Sequence, residues 1–521
     1  MPTRRPNILM IMCDQLAPQY LPFHGHPVVY APVLSKLADE GVVFDSAYCN
    51  SPLCAPARSS LMTGRLCSRI EAWDNAAELR ADVPTMAHYM RASGYRTVLS
   101  GKMHFVGPDQ LHGYEQRLTT DIYPADFGWV PDWTADPLTQ RPFWYHNMQS
   151  VVEAGIYERT LELDYDEEVS YKSVRQIYDM ARDSDERPFF MTVSFIQPHD
   201  PYMVPRKWWD RYRHDEIDMP MVDPIDVSDR DPHSQRLYNV CQQDQYEVTD
   251  QHIRNARHAY YGMISWLDDQ IAQLLDALRS SGLEQDTIVC LTSDHGDMLG
   301  ERGMWYKMSF FEHSVRVPLV FWSPSRFSPA RISEPVSLVD LLPTFAELGR
   351  DGGEVEYSTE IDGVSLVSEL SGSEVNGRSV EAEYMAEGAI EPLYMLREGS
   401  LKYTYGIEDG PQLFDLVEDS KELNNLADSP EYIEVESAFR ERVNRHWNAE
   451  DIKQQVLASQ RRRRLVHKAS VSNGSRPVVW DHQPVRDASA LYNRNYANDL
   501  YDTDRNARIP RRPAPPADKS S

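Results

Sequence analysis

Cys54 is followed by Pro56, Arg58 and then Thr63-Gly64-Arg65, and the stretch Ala55 to Met62 is predicted to be a helix that the cysteine opens, with Pro56 in its first turn. A helix N-terminus favours an anion beside residue 54. Arg58 lies four residues on, one turn up the same face, where it can brace a nucleophile. Alone, this pair would read as a core thiol beside a structural arginine. Its company changes that reading. Asp14 ends an apolar run, and Asp294-His295 ends another inside Ser293-Asp294-His295-Gly296-Asp297. Carboxylates and an imidazole converging from strand ends suit a hard divalent cation. Lys102 and His104 stand two apart, His199 sits in Gln197-Pro198-His199-Asp200-Pro201-Tyr202, and Lys307 closes Met304-Trp305-Tyr306-Lys307. A nucleophile, a cation, further positive groups and a proton donor are the parts that hydrolysis of an anionic phosphate or sulfate ester requires.

Such residues can meet only if the chain brings strand ends to one edge. Ile8 to Cys13 is a continuous apolar run bounded by Pro6 and Asp14, as expected of a strand buried on both faces. Val42 to Cys49, Tyr95 to Leu99, Pro188 to Ile196, Thr287 to Thr292 and Val317 to Trp322 also read as strands. Ala31 to Glu40, Pro84 to Ala92, Leu338 to Leu348 and a long amphipathic Asp250 to Ser281 read as helices between them. The alternation predicts an α/β fold with a mostly parallel central sheet flanked by helices. In such sheets ligands bind outside the carboxyl ends of the strands, which is where the candidate residues stand. Ser371 to Arg378 is polar and turn-rich and marks the expected boundary between a catalytic domain, 1–375, and a small C-terminal α+β domain, 376–467. Within the latter, Leu401 to Tyr405 and Gln412 to Leu416 are predicted strands and Ser429 to Ser459 a long charged helix. Residues 468–521 form an extended tail that lacks periodicity yet keeps Trp480, Tyr492, Tyr496 and Tyr501, so it is expected to wrap the body or join a neighbouring subunit in a homo-oligomer, a dimer or a tetramer.

The 80 acidic and 53 basic residues leave a net charge of −27, which argues against nucleic acid and anionic membranes as partners. No stretch approaches the length of a membrane span. The six cysteines lack paired spacing, and the first apolar run is short for a secretory segment, so a cytoplasmic protein with free thiols is expected.

The pattern C-x-P-x-R-x-x-x-x-T-G, filled by Cys54, Pro56, Arg58, Thr63 and Gly64, resembles at every defined position the formylglycine signature of the sulfatase family. The resemblance implies that a formylglycine-generating or other sulfatase-maturing enzyme oxidises Cys54 to an aldehyde. Its hydrate would attack sulfur. A divalent ion, Ca²⁺ or else Mg²⁺ or Mn²⁺, would be held by Asp14, residue 54, Asp294 and His295. It also implies that Lys102 contacts the anion, that His104 is the base that breaks down the hemiacetal, and that His199 or Lys307 protonates the leaving oxygen. Family members usually carry Asp-Asp and Asp-Asn where this chain has Asp14-Gln15 and Asp294-His295. That departure matches the branch of choline sulfatases, phosphonate monoester hydrolases and related arylsulfatases. It makes the metal site less anionic and leaves Gln15 as a weak ligand or an outer group.

Within the family, the runs Tyr48 to Pro56, Gly101 to Pro108, Thr119 to Trp129, Trp144 to Met148 and Met298 to Gly303 look like the choline-sulfatase branch. That likeness implies choline O-sulfate as substrate. Its trimethylammonium end donates no hydrogen bond and needs aromatic faces or a carboxylate. Trp129 is the expected wall, with His146 and Asn147 nearby, and Asp499 or Asp502 of the tail could close the site. An aryl sulfatase, a phosphonate or phosphate ester hydrolase, and an unmodified non-catalytic ligand-binding protein are the alternatives.

Overall fold

Seven residues, Asn7–Cys13 (β1), form the centre of the molecule: from Ile8 onward every one is buried, so both faces of the strand must be covered. In the computed structural model, which describes residues 5–136, 141–142, 146–350, 355–373, 377–472 and 512–513, the neighbouring strands run parallel to it. We label the others Val42–Tyr48 (β2), Arg96–Gly101 (β3), Phe189–Ser194 (β4), Thr287–Ser293 (β5) and Arg316–Trp322 (β6). Their order across the sheet is β2-β6-β5-β1-β4-β3, with short strands at both edges. Met10 faces Thr192 on one side and Cys290 on the other, so β4 and β5 end level with β1. Only β6 runs against the rest. The expected mostly parallel α/β sheet is therefore present, and the carboxyl ends of β1, β2, β3, β4 and β5 share one edge.

The helices cover both faces. Cys54–Thr63 (α1) is buried along its whole length. Leu161–Arg182 (α2) was not among the expected helices, because polar residues fill its outer face; its buried stripe is Leu161, Tyr165, Val169, Ser173 and Ile177, each one turn from the last. Asp250–Ser280 (α3) begins at a capping box in which the Thr249 hydroxyl accepts from His252 N–H. The predicted helix from Leu338 starts as a single 3-10 turn before the α-helix Leu341–Leu348.

Past the polar stretch around 371–378, four strands form a separate antiparallel sheet: Ser379–Tyr384 (β7), Leu393–Glu398 (β8), Leu401–Gly406 (β9) and Gly410–Asp415 (β10). The sequence reading had only β9 and β10. It also had one helix where there are two, Ile433–His446 (α4) and Ala449–Val471 (α5). The break falls at Trp447, whose backbone is extended and whose indole packs on Tyr394, and Asn448 then caps the next helix by accepting from Asp451 N–H. The small sheet is tied to the nucleophile loop: Asn50 donates to the Glu381 carbonyl at 2.8 Å and accepts Glu383 N–H on its own carbonyl at 2.8 Å. Arg512–Pro513 pairs antiparallel with Gly155–Arg159, whereas Trp144, Trp480, Tyr492, Tyr496, Asp499, Tyr501 and Asp502 lie outside the described residues. Among the described residues no helix is long and apolar enough to cross a membrane. All six cysteines are buried and unpaired.

Candidate active site

The thiol of Cys54 is 1% exposed and sits at the first position of α1. The preceding Leu53 offers no side-chain cap, and the orphan N–H of Ala55 is instead taken by the Asn75 side chain at 3.0 Å. Sulfur lies 3.2 Å from His295 Nε2 and 3.8 Å from Asp14 Oδ1. Asp14, residue 54, Asp294 and His295 each offer a ligand atom within 4.8 Å of the others. The donor set suits a divalent ion. Two carboxylates supply hard oxygens, and His295 Nδ1, 3.1 Å from the Gly296 carbonyl, is the protonated nitrogen, which leaves the Nε2 lone pair facing inward. Burial, opposed by Asp294, holds His295 down at about 4, so the ring is neutral as a ligand must be.

Arg58 has no exposed surface and spends its guanidinium on this group. Nε donates to Asp294 at 2.7 Å, Nη2 to Asp14 at 3.0 Å, and Nη1 to Ser194 Oγ at 2.9 Å and to the Lys102 carbonyl. Lys102 Nζ bonds Asp14 and lies 4.2 Å over the Tyr123 ring. Burial alone would push the Asp14 carboxyl up; Lys102 and Arg58, both bonded to it, overcome this and hold it well below the carboxylate range.

Gln15 is turned away from the ligand set: its side-chain amide donates to Asp297 at 2.8 Å and its carbonyl accepts from Lys307 at 2.6 Å. Lys307 is held between two non-glycine residues with left-handed backbone, Tyr306 and Met308, a conformation that proteins keep mostly where a side chain must be aimed. Its ammonium lies 2.7 Å from His199 Nε2. His199 is neutral: burial and then Lys307 push its pKa well below the usual imidazole value. His104, also left-handed at φ 56, is turned toward Cys54, and burial lowers its pKa against an opposing pull from that side chain.

The loops carrying these groups are braced by carboxylates the sequence reading did not single out. Asp121 accepts Met103 N–H at 3.1 Å and His104 N–H at 2.9 Å, and Arg117 bonds it at 2.8 Å. Asp166 accepts Ile196 N–H and Gln197 N–H, at 2.9 and 2.8 Å, just before His199.

Trp129 and His146 are buried beside these groups. The Trp129 ring is 5.3 Å from Tyr123 and 5.9 Å from His104. His146 stacks on Tyr306 at 4.4 Å and lies 5.5 Å from His199. Asn147 is one layer further out: its side-chain oxygen accepts Gln149 N–H at 2.9 Å, and its carbonyl accepts from Tyr306. One group escaped the sequence reading altogether. Glu387, just past β7, is 1% exposed, and neither carboxylate oxygen has a hydrogen-bond partner. Burial and then Asp74 raise its pKa well above the usual value, while Arg463 and Lys307 pull it down.

A family model described as Sulfatase matches residues 6–350. The chain belongs to the sulfatase family. It is a sulfuric ester hydrolase. A model for the C terminus of choline sulfatase matches residues 454–509, and one for the C-terminal part of N-sulphoglucosamine sulphohydrolase matches 300–449. A choline-sulfatase of Rhizobium meliloti (strain 1021) is 45% identical over 504 residues, 96% of this sulfatase and 97% of the relative. Arylsulfatase K of Danio rerio is 30% identical over 446 residues, 81% of this chain and 80% of the relative. In fold the chain is similar to a phosphonate monoester hydrolase of Agrobacterium radiobacter, with TM-score 0.65 and 23% identity over 87% of this chain and 96% of that one. A phosphonate monoester hydrolase from Silicibacter pomeroyi has TM-score 0.67 and 22% identity, covering 85% and 95%.

Proposed function

We propose that this sulfatase hydrolyses choline O-sulfate to choline and inorganic sulfate, with residue 54 as hydrated formylglycine. Asp14, residue 54, Asp294 and His295 would hold the divalent ion, Ca²⁺ before Mg²⁺ or Mn²⁺. The observation that carries the substrate is Glu387. A buried carboxyl without a hydrogen-bond partner is expensive, and here it lies within the electrostatic reach of Lys307. A bound trimethylammonium would return Glu387 to its ionised form, and the Trp129 and Tyr123 rings supply the aromatic wall. Likeness to a choline-sulfatase along nearly the whole chain supports the same reading.

The hydrated aldehyde would supply one oxygen to attack sulfur and a second hydroxyl whose deprotonation releases sulfate. The ion would polarise the ester oxygens. Arg58 and Lys102 balance the carboxylates and orient the anion. His104, neutral, is ready to accept a proton beside residue 54. Lys307 and His199, 2.7 Å apart, hold between them the proton that the leaving oxygen takes as its bond to sulfur breaks.

The test is turnover of choline sulfate beside 4-nitrophenyl sulfate and a phosphate diester, with peptide mass across position 54 in enzyme from its native host. Choline sulfate is expected to have the highest kcat/KM, position 54 to be an aldehyde, and Cys54→Ala to be inactive. A preference for the aryl sulfate or the diester moves the reading to those hydrolases. Full turnover by Cys54→Ala rules out the nucleophile. We further propose a division at about 375 and 467, a tail that wraps the body, as the return of Arg512–Pro513 to Gly155–Arg159 supports, and a homo-oligomer to which that tail contributes. Deleting 473–521 should lower the assembled mass or raise KM. The unpaired buried thiols support a reducing, cytoplasmic setting.

A further inference from the structure

One carboxylate stands between the two imidazoles of the substrate side. Asp200 is 3% exposed. Its Oδ2 lies 3.2 Å from His146 Nδ1 and accepts from Ser150 Oγ at 3.2 Å. Its Oδ1 lies 3.2 Å from His199 Nδ1, and the same nitrogen is 2.7 Å from the Asp200 backbone carbonyl. The backbone carbonyl is the acceptor for His199 Nδ1, while Oδ1 makes no hydrogen bond and faces the ring only as a nearby charge, so Nδ1 carries the proton and Nε2 presents its lone pair to Lys307. Burial pushes the Asp200 carboxyl up, but the His146 hydrogen bond and the nearby Lys307 hold it well below the carboxylate range, so it is an anion in this setting.

We infer that Asp200 is a positioning residue for leaving-group protonation: its backbone carbonyl fixes the tautomer of His199, its carboxylate sets a negative charge beside that ring, and through His146 it ties His199 to the side where the leaving group lies. This rests on the assignment of His199 and Lys307 to the leaving oxygen. As the bond from sulfur to that oxygen breaks, its electron pair goes to oxygen and the proton shared by Lys307 and His199 forms the new O–H bond. If His199 becomes an imidazolium during the transfer, the adjacent carboxylate stabilises it. The requirement for this proton depends on the leaving group. An alkoxide such as that of choline is too basic to depart unprotonated, whereas a nitrophenolate departs without help.

The same atoms have a competing use. Ligand atoms of His146, His199 and Asp200 lie within 4.8 Å of one another, as a second cation would require. Lys307, a cation, already occupies the other nitrogen of His199 at 2.7 Å, and His199 Nδ1 is directed at a carbonyl. That is a hydrogen-bond relay rather than a metal cage.

The experiment uses the full-length, matured enzyme and Asp200→Asn, which keeps the side-chain shape. Rates are measured on 4-nitrophenyl sulfate, phenyl sulfate and choline sulfate, with divalent metal counted in both proteins. The loss is expected to grow along that series, from a few-fold on 4-nitrophenyl sulfate to about 100-fold on choline sulfate. KM for choline sulfate should rise as His146 loses its anchor, and both proteins should carry the same metal content. Residual 4-nitrophenyl sulfate turnover reports that the variant is folded. An equal loss on all three substrates, or no loss, overturns the inference, as does a second metal ion that disappears in the variant. A wild-type enzyme that cleaves the aryl sulfates and spares choline sulfate would refute the substrate reading alone, since the dependence on aryl leaving group still decides Asp200.

Discussion

Arg58 and Lys102 bring two positive charges to the two carboxylates Asp14 and Asp294, and none of the four side chains has solvent access. The ordinary cost of burying such a group is offset only when every charge is paired and hydrogen-bonded, and here each is. A divalent ion would then leave an excess of two positive charges, which a sulfate monoester and an ionised hydroxyl at position 54 would neutralise. So loaded, the site would be balanced for the reacting state rather than for the resting one. Selectivity would then fall to other residues. Trp129→Ala and Glu387→Gln should each raise KM for choline sulfate about tenfold while changing KM for 4-nitrophenyl sulfate little, in line with about 0.5–2 kcal/mol for a cation held against an aromatic or anionic partner. Equal effects on both substrates, in parallel kinetics, would remove these residues from the ammonium side. Cys54, Asp14 and Asp294-His295 were legible in the sequence because motif spacing and strand ends mark them. Glu387 was not, because a single glutamate in a connecting loop has no spacing or periodicity to set it apart.

At the level of elements, continuous apolar runs exposed β1, β4 and β5 to sequence reading, since a strand covered on both faces admits almost nothing else. β7 and β8 were missed because glutamates and an arginine interrupt them, and the partners of those charges are distant in sequence: Arg442 of α4 for Glu381 and Glu398, and Tyr48 for Arg397. Glu383 of β7 shows how those partners work. It accepts from Ser68 N–H and Oγ, both at 2.7 Å, and from Trp447 Nε1 at 2.9 Å, joining the small sheet to the loop after α1 and to the α4–α5 break. Burial outweighs these donors and raises its pKa from 4.5 to about 7. A raised carboxyl contributes stability that is whole below pH 4.5 and is lost as pH climbs to 7, because the unfolded chain releases its proton first. Relative to wild type, Glu383→Gln should therefore gain about 3 kcal/mol between pH 4.5 and 7. Denaturant melts at both ends of that range test it, and a constant difference would show that Glu383 titrates normally.

Across the whole molecule, the last long helix reaches back to the nucleophile. Arg463 of α5 pairs with Asp74, at 2.8 Å from Nη2, and the next residue, Asn75, caps the first turn of α1. Chelation of the divalent ion should abolish turnover and lower Tm, because an ion that binds only the folded chain stabilises it by mass action. Full activity after exhaustive chelation, confirmed by elemental analysis, would refute the metal assignment. Cys54 is 1% exposed beneath strands, a helix and the loops that α5 secures. A maturing enzyme would find that thiol covered once the chain has closed over it. A conversion of Cys54 would therefore fit best while residues near 54 have left the ribosome and the C-terminal helices have yet to be made, so that the order of synthesis itself would keep the thiol open.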